Sequence, residues 1–190
     1  MENVFVMDAK SEIKPRDGFI YDAIMRGYDT SFFKTIDGTP SVSSNKVRLN
    51  AAEIGSYPQI KRGTVEFAVN IPAAPTAGDA RKIALLNPSA PTRGSIYFEV
   101  VGAVFQVVSY DDDGTTETTA ITGSTIHGAE KLFKIEWGPD YIIFFLDGVA
   151  IATHKTRVGS IAQGLYIING NSDNMDVGYI LVKETANLIS

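Results

Sequence analysis

The sequence predicts an all-β protein, a two-sheet antiparallel β-sandwich preceded by an N-terminal arm. Three observations carry this. Ile, Val and Thr together number 50 of the 190 residues while Leu numbers 8, and side chains branched at Cβ sit poorly in helices and well on a pleated surface. About a dozen short apolar-rich segments recur at roughly 8–12-residue spacing between Gly, Pro, Asn and Asp, the rhythm of a sandwich. The clearest of them, Gly63–Ile71, alternates Val65, Phe67, Val69 and Ile71 with Thr64, Glu66, Ala68 and Asn70. That is the period of a strand with one face on a core.

Residues 1–29 are weakly patterned and broken by Pro15, Gly18 and Gly27, with one short helical turn expected at Asp22–Arg26. They read as an arm or a leading strand outside the main rhythm, followed by the sandwich at 30–183 and a tail at 184–190. Strands are expected at Ser31–Ile36, Pro40–Ser43 and Lys46–Asn50, divided by Asp37-Gly38 and Ser44-Asn45. After Gly63–Ile71, a loop at Pro72–Asp79 leads to a strand at Lys82–Leu86, and a second loop at Asn87–Gly94 follows. Ser95–Val101 and Ala103–Tyr110 are strands, and the acidic turn Asp111–Gly114 leads into the threonine-rich Thr115–Thr122. Its alternating polar residues suit a sheet edge. Leu132–Trp137, the turn Gly138-Pro139-Asp140 and the apolar run Tyr141–Leu146 come next. Asp147-Gly148 is the residue pair of a type I′ hairpin turn, and Val149–His154 returns from it. Gly164–Asn169 and Val177–Lys183 complete the set around a polar turn at Gly170–Asp176.

Composition excludes several chemistries. With no cysteine there is no disulfide scaffold, thiolate nucleophile or cysteine-ligated metal. The two histidines, His127 and His154, cannot build a three-histidine site, and neither suggests a role. A net charge of −5 argues against nucleic acid and anionic membrane as partners. No apolar run reaches the roughly 20 residues of a membrane span. Met1–Asp8 has neither a basic region nor a long apolar one, so no signal peptide is expected. No Gly-x-Ser-x-Gly elbow or phosphate loop occurs.

The run Phe133–Ala150, with Ile135, Trp137, Pro139-Asp140, Ile142, Phe144 and Asp147-Gly148 in order, resembles the strand–turn–strand of concanavalin A-like jelly rolls. Gly164–Lys183 resembles the closing strand pair of that superfamily, and the likeness covers roughly residues 30–183. It implies a jelly roll, a fold that hosts laminarinase-type glycosidases, lectins and structural modules alike. The glycosidases carry Glu-x-Asp-x-(x)-Glu on one strand of the concave sheet, where retaining chemistry needs two carboxylates close together. Laid on Gly94–Val101, the first Glu falls on Ser95 and the Asp on Tyr97. The last falls on Glu99 or is lost at Val100. The resemblance therefore implies a non-catalytic member, not an enzyme. The remaining source of a carboxylate pair would be Glu66 with Glu99, if their strands are neighbours.

Ser95, Tyr97, Glu99, Gln106 and Tyr110 are then candidates for a ligand-binding concave face, the alternative being an ordinary exposed strand. Trp137 shares the parity of Phe133 and Ile135, which favours packing over sugar stacking. No cofactor is expected, although Asp111 and Asp113 in one acidic turn, and Asp173 and Asp176 in another, are weak calcium candidates. Plain solvated turns are the competing reading.

The function this points to is a non-catalytic structural or assembly protein on the surface of a larger particle, most plausibly a phage virion, as capsid decoration or tail protein. The expected partners are other subunits, reached through the arm, whose Val4, Phe5, Val6, Phe19, Ile20 and Ile24 have no evident place in the sandwich pattern. The expected location is a virion or extracellular particle surface, with synthesis in the cytoplasm. The alternative is a carbohydrate-binding, lectin-like module that takes glycans on the concave sheet.

Overall fold

The computed structural model describes residues 4–7, 13–16, 19–22, 33–43, 46–56, 61–72, 80–87, 90–156, 159–160, 164–170 and 173–184. Among them every regular element is a strand: β1 (Val4–Met7), β2 (Ile13–Arg16), β3 (Phe19–Asp22), β4 (Phe33–Asp37), β5 (Ser41–Ser43), β6 (Lys46–Leu49), β7 (Ala52–Ser56), β8 (Gly63–Asn70), β9 (Ala80–Leu86), β10 (Ile96–Val101), β11 (Val104–Tyr110), β12 (Thr116–Ala120), β13 (Glu130–Trp137), β14 (Ile142–Leu146), β15 (Val149–His154), β16 (Gly164–Asn169) and β17 (Met175–Glu184).

The strands form two sheets, as a sandwich requires. The ten-stranded sheet runs β15-β14-β13-β8-β17, and the far edge of β17 is shared. Its first residues pair with β6, which carries β5, while Tyr179–Val182 pair with β3, beyond which lie β1 and β2. The seven-stranded sheet runs β12-β11-β10-β9-β16-β7-β4. The segment 1–29 thus contributes three strands to a sheet of its own chain. Of the helical turn expected at Asp22–Arg26, Asp22 ends β3 and the rest lies outside the described residues. Strand β7 was not expected; its Ala-Glu-Ile-Gly-Ser composition carries little strand propensity.

Parity decides what is buried. Val65, Phe67, Val69 and Ile71 have no exposure at all, and Ile96, Phe98 and Val100 meet them from the other sheet. Phe98 stands edge-on to Phe133 and Phe144, with ring centroids 5.1 and 5.3 Å away, a geometry that aromatic quadrupoles favour. Trp137 is buried with them and donates its Nε1–H to the Lys61 carbonyl at 2.9 Å, so it packs rather than offering a platform. Asp147 and Gly148 have φ of 50° and 81°, the two positive values of a type I′ turn.

Candidate functional site

Register sets out the outward face of the seven-stranded sheet row by row. One row crosses the strands as Glu53 (β7), Ile168 (β16), Lys82 (β9), Glu99 (β10), Gln106 (β11) and Ala120 (β12). The next row carries Gly55, Tyr166, Ala84, Tyr97, Val108 and Thr118. Tyr110 follows beyond Tyr97, beside Ser95 just before β10, whose carbonyl its amide reaches at 2.9 Å. Tyr97, Ala84 and Val108 form a small apolar cluster of their own, closed over by the half-buried Leu86, Tyr110 and Tyr166.

The polar row is tightly coupled. Lys82 Nζ lies 3.2 Å from a Glu99 carboxylate oxygen, and Gln106 Nε2 donates to the other at 2.6 Å. Lys82 also sits over the Tyr97 ring, 4.8 Å from its centroid, a cation–π contact. The Tyr97 and Tyr110 rings are 6.3 Å apart. Burial, and then the hydrogen bond with Tyr110, push the Tyr97 phenol well above its ordinary value, so it stays protonated. With one face under Lys82 and little exposure, Tyr97 is a floor; Tyr110 and Tyr166 are only half-buried.

The structure brings Tyr97, Glu99, Gln106 and Tyr110 together and sets Ser95 apart. Ser95 is fully buried, its hydroxyl accepting the Asn87 N–H at 3.1 Å, so it is a packing residue with no access to a ligand. Glu66 cannot pair with Glu99. Its strand β8 belongs to the other sheet, and the two carboxylates point away from opposite sides of the sandwich. Sequence reasoning missed Lys82, Tyr166 and Glu53, which reach this face because β9, β16 and β7 are neighbours of β10 in the sheet. Burial first, then Asp37 across the pair, raises the Glu53 carboxyl above its ordinary value. Glu53 and Glu99 are three strands apart, about 14 Å between backbones at the usual spacing. Retaining and inverting glycosidases hold their carboxylates roughly 5–5.5 and 6.5–9.5 Å apart.

Asp111, Asp173 and Asp176 among the calcium candidates have partners within the fold. Asp111 Oδ1 accepts the amides of Asp113 and Thr115, closing its own turn. Its neighbour Asp112 takes the Ser160 N–H at 2.9 Å and the Ser160 hydroxyl at 2.5 Å, pinning the connection from β15 to β16. Asp176 holds Arg48 through both oxygens, and Asp173 lies 4.0 Å from buried Arg81. Among the described residues no group of three or more His, Asp and Glu converges on a point that could hold a metal.

Neither a family model nor a curated protein matches the sequence. Solved structures do match in shape. The apo form of the Crh5 transglycosylase superposes with a TM-score of 0.74 at 16% identity, over 90% of this chain and 85% of that one. A Bacillus licheniformis β-glucanase gives 0.74 at 15% identity over 89% and 98%. The laminarinase catalytic domain from Thermotoga maritima gives 0.70 at 14% identity over 88% and 97%. The fold is the concanavalin A-like jelly roll. The expectation of a phage virion protein is corrected by these matches, since the structures that share this concanavalin A-like fold with the chain are glucanases and a transglycosylase. The same matches overturn the expectation that the chain is not an enzyme. The exchange of carboxylates at Ser95 and Tyr97 argued only about one mechanism, and the matching structures are named for catalysis.

Proposed function

We propose that this chain is a carbohydrate-active jelly roll that binds a neutral β-glucan along the outward face of its seven-stranded sheet. The observation that carries the reading is the register of three adjacent rows: tyrosines at 97 and 166 in one and 110 in the next, beside the row of the linked Lys82, Glu99 and Gln106. Sugar rings present apolar C–H faces and a rim of hydroxyls. Tyrosine rings suit the faces, and a carboxylate, amide and ammonium within hydrogen-bond reach of one another suit the rim. Glu53, Lys82 and Glu99 on one row leave little excess charge for an anionic polysaccharide to exploit.

A second reading adds chemistry at Glu99. It lies two residues along β10 from Tyr97, within reach of Lys82 and Gln106, and the solved structures of this fold include glucanases and a transglycosylase. A single carboxylate can transfer one proton, as general acid to a leaving oxygen or as base to an incoming hydroxyl. Calorimetry with laminarin and lichenan oligosaccharides tests the binding, and reducing-end release tests the chemistry. Binding with Kd below about 1 mM, weakened at least several-fold by Tyr110→Ala, supports the proposal. Absence of binding to either glucan overturns it. Turnover abolished by Glu99→Gln with binding retained establishes the second reading.

A further inference from the structure

A groove lies on the opposite side of the molecule, on the outward face of the ten-stranded sheet. Its volume is about 360 Å³, and Thr64, Glu66, Lys134, Glu136, Tyr141 and Lys183 line it. That places it at the small end of ligand pockets, which run from roughly 300 to 1,000 Å³. Register explains the lining. Lys134 stands opposite Glu66, while Thr64 has Glu136 on one side and Lys183 on the other. Donors and acceptors therefore alternate across three adjacent strands.

Several of these groups are already held in place. Lys134 Nζ lies 3.4 Å from Glu136 and 4.1 Å over the centre of the Phe145 ring. Glu66 accepts a hydrogen bond from the Tyr179 hydroxyl. The Tyr141 ring packs against the backbone of Gly138, where a Cβ would come within 2.5 Å of a ring carbon. It forms an aromatic wall that only glycine at 138 permits. Cross-strand ion pairs alone would account for Lys134 and Glu136 as sheet stabilisers. They do not account for Lys183, which makes no ion pair with a described residue, or for the aromatic wall.

Two ammonium groups and two carboxylates balance, which disfavours a ligand of either sign. What satisfies both kinds of group is a neutral molecule whose every polar atom both donates and accepts, and hydroxyl groups do this. Hydrogen bonds from hydroxyls to charged side chains are the stronger class. We propose that this groove is a second glycan site, taking a short neutral segment of the same polysaccharide class. This rests on the function proposed above. Because the two sites lie on opposite outer faces of the sandwich, each takes a different stretch of glycan, and the chain is bivalent. Long polysaccharide is then held with an avidity that neither site has alone.

The test is the stoichiometry of a β-1,3-glucan hexasaccharide by calorimetry. It is run on the native chain, on Tyr110→Ala, and on Lys134→Gln with Lys183→Gln, each checked for native circular dichroism. Two equivalents on the native chain, with one lost in each variant, support the inference. One equivalent sensitive only to Tyr110→Ala overturns it and leaves the proposed function standing. One equivalent sensitive only to the lysine changes supports the groove and overturns the first site. No binding overturns both. Laminarin offers a second readout: the native chain cross-links and precipitates it, and the double lysine variant does not.

Discussion

Ser109 Oγ lies 2.8 Å from His154 Nδ1, joining β11 of one sheet to β15, the edge strand of the other. Thr119 Oγ1 meets Nε2 of the same ring at 3.0 Å, and Phe144 stands edge-on to it at 5.1 Å. His154 is fully buried, so the ring is a polar clasp between the sheets. Burial holds its pKa below the ordinary histidine value, while Glu117, the nearby charge, pulls weakly the other way. The folded chain then resists a proton that the unfolded chain accepts near pH 6.5. The contribution of His154 is fully present above that pH and is lost as pH falls below it toward the folded pKa. Native Tm should fall between pH 7 and pH 5 more steeply than that of His154→Gln. Equal slopes would show that the ring takes up its proton in the fold as readily as in the unfolded chain, so that burial does not lower its pKa. His154→Ala should cost roughly 2–4 kcal/mol at pH 7, from two lost hydrogen bonds and a cavity.

The hairpin at Asp147-Gly148 gives a backbone prediction with no packing term. A Cβ on Gly148 would have nothing within 4 Å, so replacement there meets only the cost of φ at +81°. Gly148→Val should lose about 1–2 kcal/mol, because a β-branched residue resists positive φ, and the urea midpoint reads it directly. Asp147 tolerates its own φ and ties the turn back to β13, accepting the Leu132 N–H at 3.0 Å and pairing with Lys131 at 2.7 Å. An unchanged midpoint in Gly148→Val would refute the turn.

Phe98 is the aromatic centre of the core. It touches the rings of Phe105, Phe133 and Phe144 and is 1% exposed. Its side chain comes from the seven-stranded sheet, and two of its partners come from the other. Phe98→Ala should destabilise by about 3–5 kcal/mol, read as a drop in Tm. Glucan affinity should survive in the folded fraction, because Phe98 points to the opposite side of β10 from Tyr97 and Glu99. Loss of binding without loss of stability would place Phe98 at the ligand and contradict the register.

Most of the sandwich was legible in the sequence, because parity is a local signal. Thr64–Ile71 shows which residues enter the core, and Asp147-Gly148 shows where the chain turns. The arm was less legible: Pro15 and the short strands β1–β3 carry little alternation, and the pairing of β3 with β17 joins residues far apart in the chain. The candidate site was half legible. Tyr97, Glu99, Gln106 and Tyr110 share one hairpin, so parity alone places them on one face. Lys82 and Tyr166 reach that face only because β16 lies beside β9, an adjacency between segments some 80 residues apart that no periodicity encodes. The same blindness allowed Glu66 and Glu99 to be weighed as a pair, since period-2 alternation says inward or outward but not which sheet.

Asn169 provides the last prediction, at the opposite side of the sandwich from His154. Its Nδ2 donates to the carbonyls of Leu49 at 2.8 Å and Asp173 at 2.7 Å, and its Oδ1 accepts from Arg81 Nε at 3.0 Å. Leu49 ends β6 of the ten-stranded sheet and Asn169 ends β16 of the seven-stranded one, so this amide also ties the sheets together. Asn169 and Arg81 are each 1% exposed. Asn169→Leu keeps the volume roughly and removes every polar atom, leaving a buried carbonyl and part of a buried guanidinium without their partner. The cost should be on the order of 3 kcal/mol or more. Asn169→Asp keeps an acceptor for Arg81 but sets a carboxylate against two carbonyls, so it should fail to restore native stability although it conserves shape. Urea unfolding of both variants decides the matter. If Asn169→Leu loses less than about 1 kcal/mol, water or a rearranged neighbour replaces the amide, and the link between the sheets is not what holds this side of the sandwich.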